Sequence, residues 1–227
     1  MCLIVLAWRV HRSSPLVVAA NRDEFHARPA AAAAFWSDRA GILAGRDLQA
    51  LGTWMGVARS GKFAAVTNYR GAHEPSAAES RGALVCGFLD NSTPAGTYAA
   101  DVARRGGAYS GFNLLVADGE ELWWMSNRYG APRQLEPGIY GLGNLLLDSP
   151  EVEADKARFG DALDPAPAVD PLFSVLGAAR IVNSQYGTRC STVMLESNDR
   201  RIRYAERSFN AEGAEGDTLQ FEFPVGS

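Results

Sequence analysis

Lysine is nearly absent from this 227-residue chain: Lys62 and Lys156 are the only two, and arginine supplies almost all the positive charge. The formal net charge is −4, which excludes the basic footprint of a nucleic-acid binder and the polybasic patch of a membrane-surface protein. Cysteine is scarce. Cys2, Cys86 and Cys190 are odd in number and far apart, so they can neither all pair internally nor form a metal knuckle. Free thiols in a reducing compartment are the simplest reading. The three histidines, His11, His26 and His73, show no H-x-x-x-H spacing. Each sits near an expected turn or loop, so neither a metal nor a cofactor is expected.

No apolar run reaches the length of a membrane span. The opening run Cys2–Trp8 is short, and Arg9, His11 and Arg12 follow it rather than precede it, the reverse of a signal peptide. A cytoplasmic protein without membrane insertion is expected. The glycine-rich pieces fit neither a Walker loop nor a dinucleotide fingerprint, which argues against nucleotide hydrolysis.

A 47% hydrophobic and 21% charged composition is that of an ordinary globular chain. The length suits one domain over 1–227, with no repeat or low-complexity tract. The apolar pattern predicts strands at 3–10 and 16–20, then at 41–47, 52–58 and 63–69. Residues 30–36 read as a connection. Helices are predicted over 80–90, with Ser80 as N-cap, and over 93–105, with Thr93-Pro94 opening it and Gly106-Gly107 ending it. Strands follow at 112–117, 122–127 and 138–142, helices at 151–163 and 171–179, and strands at 191–196, 201–207 and 219–223. This order predicts an α+β fold with antiparallel hairpins. The continuously apolar strands imply sheets covered on both faces, as two sheets with helices outside would provide.

Cys2 stands directly behind Met1. Removal of that methionine would leave one residue carrying a thiol nucleophile and a free α-amine able to act as its base. The alternative is a small apolar residue opening a buried strand. Four consecutive polar residues, Asn21-Arg22-Asp23-Glu24, close the second strand. In strand geometry Asn21 and Asp23 share one face, Arg22 and Glu24 the other. A short first hairpin would bring this end near Cys2, where Asp23 could hold the amine or thiol and Arg22 could lower the thiol pKa. A capped, salt-bridged turn is the competing reading.

Thr67-Asn68-Tyr69 and Gly141-Leu142-Gly143-Asn144 end apolar strands with amides, the donors an oxyanion hole uses, although Asn is also common in turns. The two glycines allow close backbone approach. Arg189 could bind a substrate carboxylate or phosphate, or pair with Asp23. Trp123-Trp124 reads as the two faces of one strand rather than a ligand cage.

These pieces together, with Arg28-Pro29, Gly52-Thr53-Trp54-Met55-Gly56, Gly111-Phe112-Asn113-Leu114, Tyr186-Gly187-Thr188-Arg189 and Glu206-Arg207-Ser208, resemble the NRDE family, also called the transport-and-Golgi-organisation family. The resemblance runs in order over essentially the whole chain. This chain is shorter than eukaryotic members ahead of Tyr186. The family is classed with N-terminal nucleophile hydrolases, which implies a four-layer αββα sandwich of two antiparallel sheets flanked by helices. It is similar there to the penicillin V acylase and bile salt hydrolase branch.

The resemblance implies Cys2 as nucleophile, Asp23 and Arg22 as its environment, Asn144 as an oxyanion donor, Asn68 or Tyr69 as another, and Arg189 as a second site arginine. Asn21 and Tyr69 join Arg22 as expected substrate-binding residues. One departure is that Arg22 and Asp23 are adjacent, so a regular strand cannot point both into one site. The expected activity is that of a hydrolase or acyltransferase on a linear amide, ester or acyl-CoA-like thioester. The alternative is a non-catalytic carrier of haem, lipid or acyl-CoA, the haem version being weakened by the lack of an evident ligand pair. Oligomeric state is left open.

Overall fold

The computed structural model describes residues 2–71 and 79–226; Met1 and His73 lie outside them. The chain divides into two compact units. The first comprises Met1–Arg28, Pro137–Gly143 and Leu147–Val225, the second Pro29–Glu136, Asn144–Leu146 and Gly226–Ser227.

In the first unit, strands β1 (Leu3–His11) and β2 (Ser14–Phe25) form the expected hairpin. The polar run 21–24 belongs to β2 rather than to a turn, because β11 (Tyr186–Glu196) pairs along it from Phe25 onward. β10 (Gly138–Leu142), β12 (Arg201–Phe209) and β13 (Glu215–Pro224) complete a six-stranded antiparallel sheet in the order β10-β1-β2-β11-β12-β13. Helices α3 (Glu153–Asp161) and α4 (Val169–Gly177) cover one face, on a core that includes Leu3, Val5, Val17, Ala19, Phe159, Leu172 and Val193. Side chains on the other face, Ile4, Leu6, Leu16, Val18 and Met194, are buried too. Gly141 and Gly143 permit the approach of the segment leading into α3. A Cβ would lie 2.7 Å from Val152 at the first and would collide with the Glu151 carboxylate at the second.

The second unit is a seven-stranded antiparallel meander: β3 (Ala30–Phe35), β4 (Ile42–Asp47), β5 (Met55–Ala58), β6 (Phe63–Asn68), β7 (Phe112–Ala117), β8 (Leu122–Ser126) and β9 (Arg133–Gln134). Residues 30–35, read from the sequence as a connection, form its edge strand. Alanine is a weak strand former, and pairing to β4 holds the segment extended. Helices α1 (Gly82–Leu89) and α2 (Ala95–Arg105) pack on a core with Leu84, Phe88, Ala99, Val102, Leu114 and Val116.

Neither expected cap is used. Arg81 precedes α1 and makes no side-chain capping bond to it; its Nη1 donates instead to Gly111 O at 3.2 Å. At α2 the Asp118 carboxylate accepts from the Ala95 N–H at 2.9 Å, where Thr93 was expected to act. Buried Lys62 holds the junction between these helices, donating to the carbonyls of Asn91 (2.7 Å) and Thr93 (2.6 Å) with its ammonium 4.3 Å from the Phe88 ring centre. Two antiparallel sheets, each flanked by a helix pair, meet the α+β expectation. No helix among the described residues is long and apolar enough to cross a membrane.

Candidate active site

Cys2 stands one residue ahead of β1. The register pairs Leu3 with Asn21, so an antiparallel continuation sets Cys2 beside Arg22. The thiol lies 3.7 Å from the main-chain oxygen of Asp23. The Tyr186 hydroxyl donates to that same oxygen at 3.1 Å. Asp23 is buried, and its Oδ1 accepts from Thr188 Oγ1 at 2.7 Å, as expected of residues paired across β2 and β11. Thr188 Oγ1 in turn accepts from the Ile181 N–H at 2.9 Å, tying the segment after α4 to this pair. Burial, then the charge of Asp23, push the Cys2 thiol above its ordinary pKa; the Arg22 guanidinium acts the other way. The resting group is therefore a neutral thiol at neutral pH.

The alternation read for 21–24 governs where the other residues go. Asn21 is buried on the helix-packed face, where its amide donates to Leu176 O at 3.0 Å and accepts from Ser191 Oγ at 2.6 Å. Both ends of that amide knit β2 to β11 and α4, which makes Asn21 a structural residue rather than the expected substrate contact. Arg22 is on the opposite face, 5% exposed and 3.8 Å from Glu24. It cannot share a face with Asp23, yet both act on the Cys2 thiol because Cys2 sits at the strand margin.

Arg189 does not pair with Asp23. It is the extra residue of a β-bulge between Thr188 and Cys190, and its Nη1 donates to the carbonyls of Phe25 (3.2 Å), His26 (3.0 Å) and Arg28 (3.4 Å). The arginine fastens the chain that leaves β2, and the bulge is what re-aims it there.

The expected amides lie in the second unit. Asn144 is buried, its Nδ2 donating to Asn68 O at 2.8 Å and its carbonyl accepting from the Arg70 N–H at 2.6 Å. Asn68 itself is exposed, and Tyr69 is half-buried with its N–H on Gly111 O at 2.9 Å. Sequence reasoning assigned no role to Asn113, fully buried in β7, which donates to Leu145 O (2.8 Å) and Thr67 Oγ1 (3.2 Å). An amide inside an apolar strand was its available signal. Thr188 and Tyr186 were likewise visible only as parts of a motif. Among the described residues no cluster of His, Cys, Asp or Glu is suited to a metal ion, and none of the three cysteines is in a disulfide.

Two solved structures share this architecture. One is a Caenorhabditis elegans N-acylethanolamine-hydrolyzing acid amidase ortholog, with TM-score 0.53 and 14% identity over 86% of this chain and 92% of that one. The other is the mutant C2A of conjugated bile acid hydrolase from Clostridium perfringens, with TM-score 0.54 and 8% identity over 99% and 98%. The likeness shows an N-terminal nucleophile hydrolase fold.

Within that class, the family model for Transport and Golgi organisation 2 matches residues 1–180, and the chain belongs to this family. The Bos taurus Transport and Golgi organization protein 2 homolog is 34% identical over 93% of both chains, and the Homo sapiens homolog 33% over 93% of both. The Drosophila melanogaster Transport and Golgi organization protein 2 is 29% identical over 64% of this chain and 56% of that protein.

Proposed function

We propose that this protein is a cysteine-type N-terminal nucleophile hydrolase or acyltransferase acting on a linear amide or thioester. The observation that carries the reading is the Cys2 thiol against Asp23, whose carboxylate is held by Thr188. The fold shared with an amidase ortholog and a hydrolase supports it.

Removal of Met1 gives residue 2 a free α-amine of pKa roughly 7.7–8.0, close enough to neutrality to take the thiol proton. This matters because burial keeps the thiol protonated at rest. The sulfur then attacks the carbonyl carbon. The amine or thiol half leaves with the proton, and water or an acceptor amine cleaves the acyl thioester, returning the thiol. Asp23 orients the amine and disfavours a standing thiolate; Arg22 offsets part of that. The ligand is a small amide, ester or acyl-CoA-like molecule, and three cysteines outside any disulfide fit a cytoplasmic setting.

The test is turnover of a panel of p-nitrophenyl esters, acyl amides and thioesters by protein whose N-terminus is confirmed by mass. Cys2→Ala should abolish turnover of every substrate the wild type accepts. Full activity in that variant ends the proposal, and reversible ligand retention without any adduct would instead describe a carrier.

A further inference from the structure

The main-chain oxygen of Asp23 receives two side-chain donors, and one of them is the Cys2 thiol. The β1–β2 ladder begins at Leu3 opposite Asn21, so Asp23 lies beyond it, beside the start of the chain. There the thiol stands 3.7 Å from the oxygen and the Tyr186 hydroxyl 3.1 Å from it. All three residues belong to the first unit.

The strand pair sets where that hydroxyl goes. β11 places Tyr186 opposite Phe25 and Thr188 opposite Asp23, and alternation puts the side chains of 186 and 188 on one face. Asp23 is thus held at two points, its carboxylate by Thr188 Oγ1 at 2.7 Å and its carbonyl by Tyr186. Gly187 between them has no room for a side chain, since a Cβ would lie 2.8 Å from Ile181 O. The half-buried Tyr186 ring meets Phe25 edge-on, with ring centres 5.2 Å apart.

A carbonyl oxygen has two lone pairs, and one that already accepts from a hydroxyl is a weaker acceptor for a second donor. A thiol proton held by a strong acceptor stays on sulfur, whereas one held weakly passes more readily to a base. The charges facing the thiol are Asp23, which keeps the proton on, and Arg22 and the N-terminal amine, which favour its loss. The Tyr186 hydroxyl acts beside this balance, through the shared oxygen.

We propose that Tyr186 is a positioning residue for Cys2: by engaging the Asp23 carbonyl it lets the S–H proton pass to the α-amine of residue 2, leaving a thiolate and an ammonium. Its value to turnover rests on Cys2 being the nucleophile; its hold on the thiol proton does not.

Tyr186→Phe keeps the ring against Phe25 and removes only the hydroxyl. Protein with Met1 removed, confirmed by mass, is titrated by its ultraviolet thiolate absorbance. The signal is taken as the difference from the Cys2→Ala form of the same protein, so that Cys86, Cys190 and the tyrosines cancel. The midpoint should move to higher pH in Tyr186→Phe. Iodoacetamide should label Cys2 about two- to tenfold more slowly at neutral pH, the effect of one competing neutral hydrogen bond. A purely structural tyrosine would lower the urea midpoint and leave the titration where it was, and that result overturns the proposal. A midpoint that moves to lower pH overturns it as well. An unmoved titration in protein that still acylates Cys2 sinks the role of Tyr186 and keeps the nucleophile. A raised midpoint in a variant whose wild type acylates nothing keeps the hold of Tyr186 on the thiol proton and sinks only the catalytic reading.

Discussion

Replacing Thr188 with valine keeps the shape of the side chain and deletes one oxygen, so its consequence can be worked from two hydrogen bonds. Thr188 Oγ1 donates to Asp23 Oδ1 at 2.7 Å and accepts from the Ile181 N–H at 2.9 Å. A hydrogen bond to a charged group contributes about 1.5–3 kcal/mol, and a neutral one about 0.5–1.5 kcal/mol. Thr188 is 2% and Asp23 4% exposed, so water cannot readily replace either bond. The expected loss on Thr188→Val is about 2–4 kcal/mol, read as a fall in the urea midpoint at unchanged slope. The same loss lowers the melting temperature by about 4–15 °C for a chain of this size.

Asp23→Asn should be strongly non-additive with it, because the two residues share one bond; a coupling of at least about 1 kcal/mol is expected in the double-mutant cycle. A Thr188→Val protein within about 0.5 kcal/mol of wild type, or additivity in the cycle, would refute the claim that this pair holds the Cys2 environment.

Other outcomes follow from the same structure. Asn113→Ala removes the donor to Leu145 O and Thr67 Oγ1 inside β7 and should lower stability by about 2–4 kcal/mol, measured by urea unfolding; a change below about 0.5 kcal/mol contradicts the role given to this amide. Lys62→Met keeps the buried stem but strips the carbonyls of Asn91 and Thr93 of their donor, so about 1–3 kcal/mol should be lost in the same assay. The thiols of Cys2 and Cys190 are both raised above the ordinary 9.0, Cys190 by burial first and the Glu206 charge second. A folded-state pKa above the unfolded one gives stability that is complete below about pH 9 and lost as pH climbs through the raised values. Cys190→Ala should therefore flatten the alkaline limb of the stability profile, and an unchanged limb would contradict the assignment.

The fold was legible wherever the signal was local. The β1–β2 hairpin, the meander from β4 to β8 and the helices α1 and α3 follow from apolar runs punctuated by glycine, proline and polar turns. What was not legible depended on pairing partners. Tyr186–Cys190 is polar and glycine-containing, and it is a strand because β2 lies beside it. The alanine run 30–34 is an edge strand because β4 holds it. The α2 cap arrives from Asp118, beyond the helix in sequence.

At the candidate site, the alternation of 21–24 correctly separated Asp23 from Arg22. It did not reveal that Asn21 is fully engaged by Ser191 and Leu176. Arg189 eluded the pattern for a different reason: the bulge that turns it toward the carbonyls of residues 25, 26 and 28 is a property of two strands, not one.

The central claim is that Cys2 is a nucleophile, and covalent capture tests it most directly. Protein purified with Met1 removed is incubated with a p-nitrophenyl acyl ester, quenched in acid, and mapped by peptide mass spectrometry. One acyl group per chain on the N-terminal peptide, absent from Cys2→Ala and from protein retaining Met1, is the expected result. No adduct, or an adduct confined to Cys86 or Cys190, would contradict it.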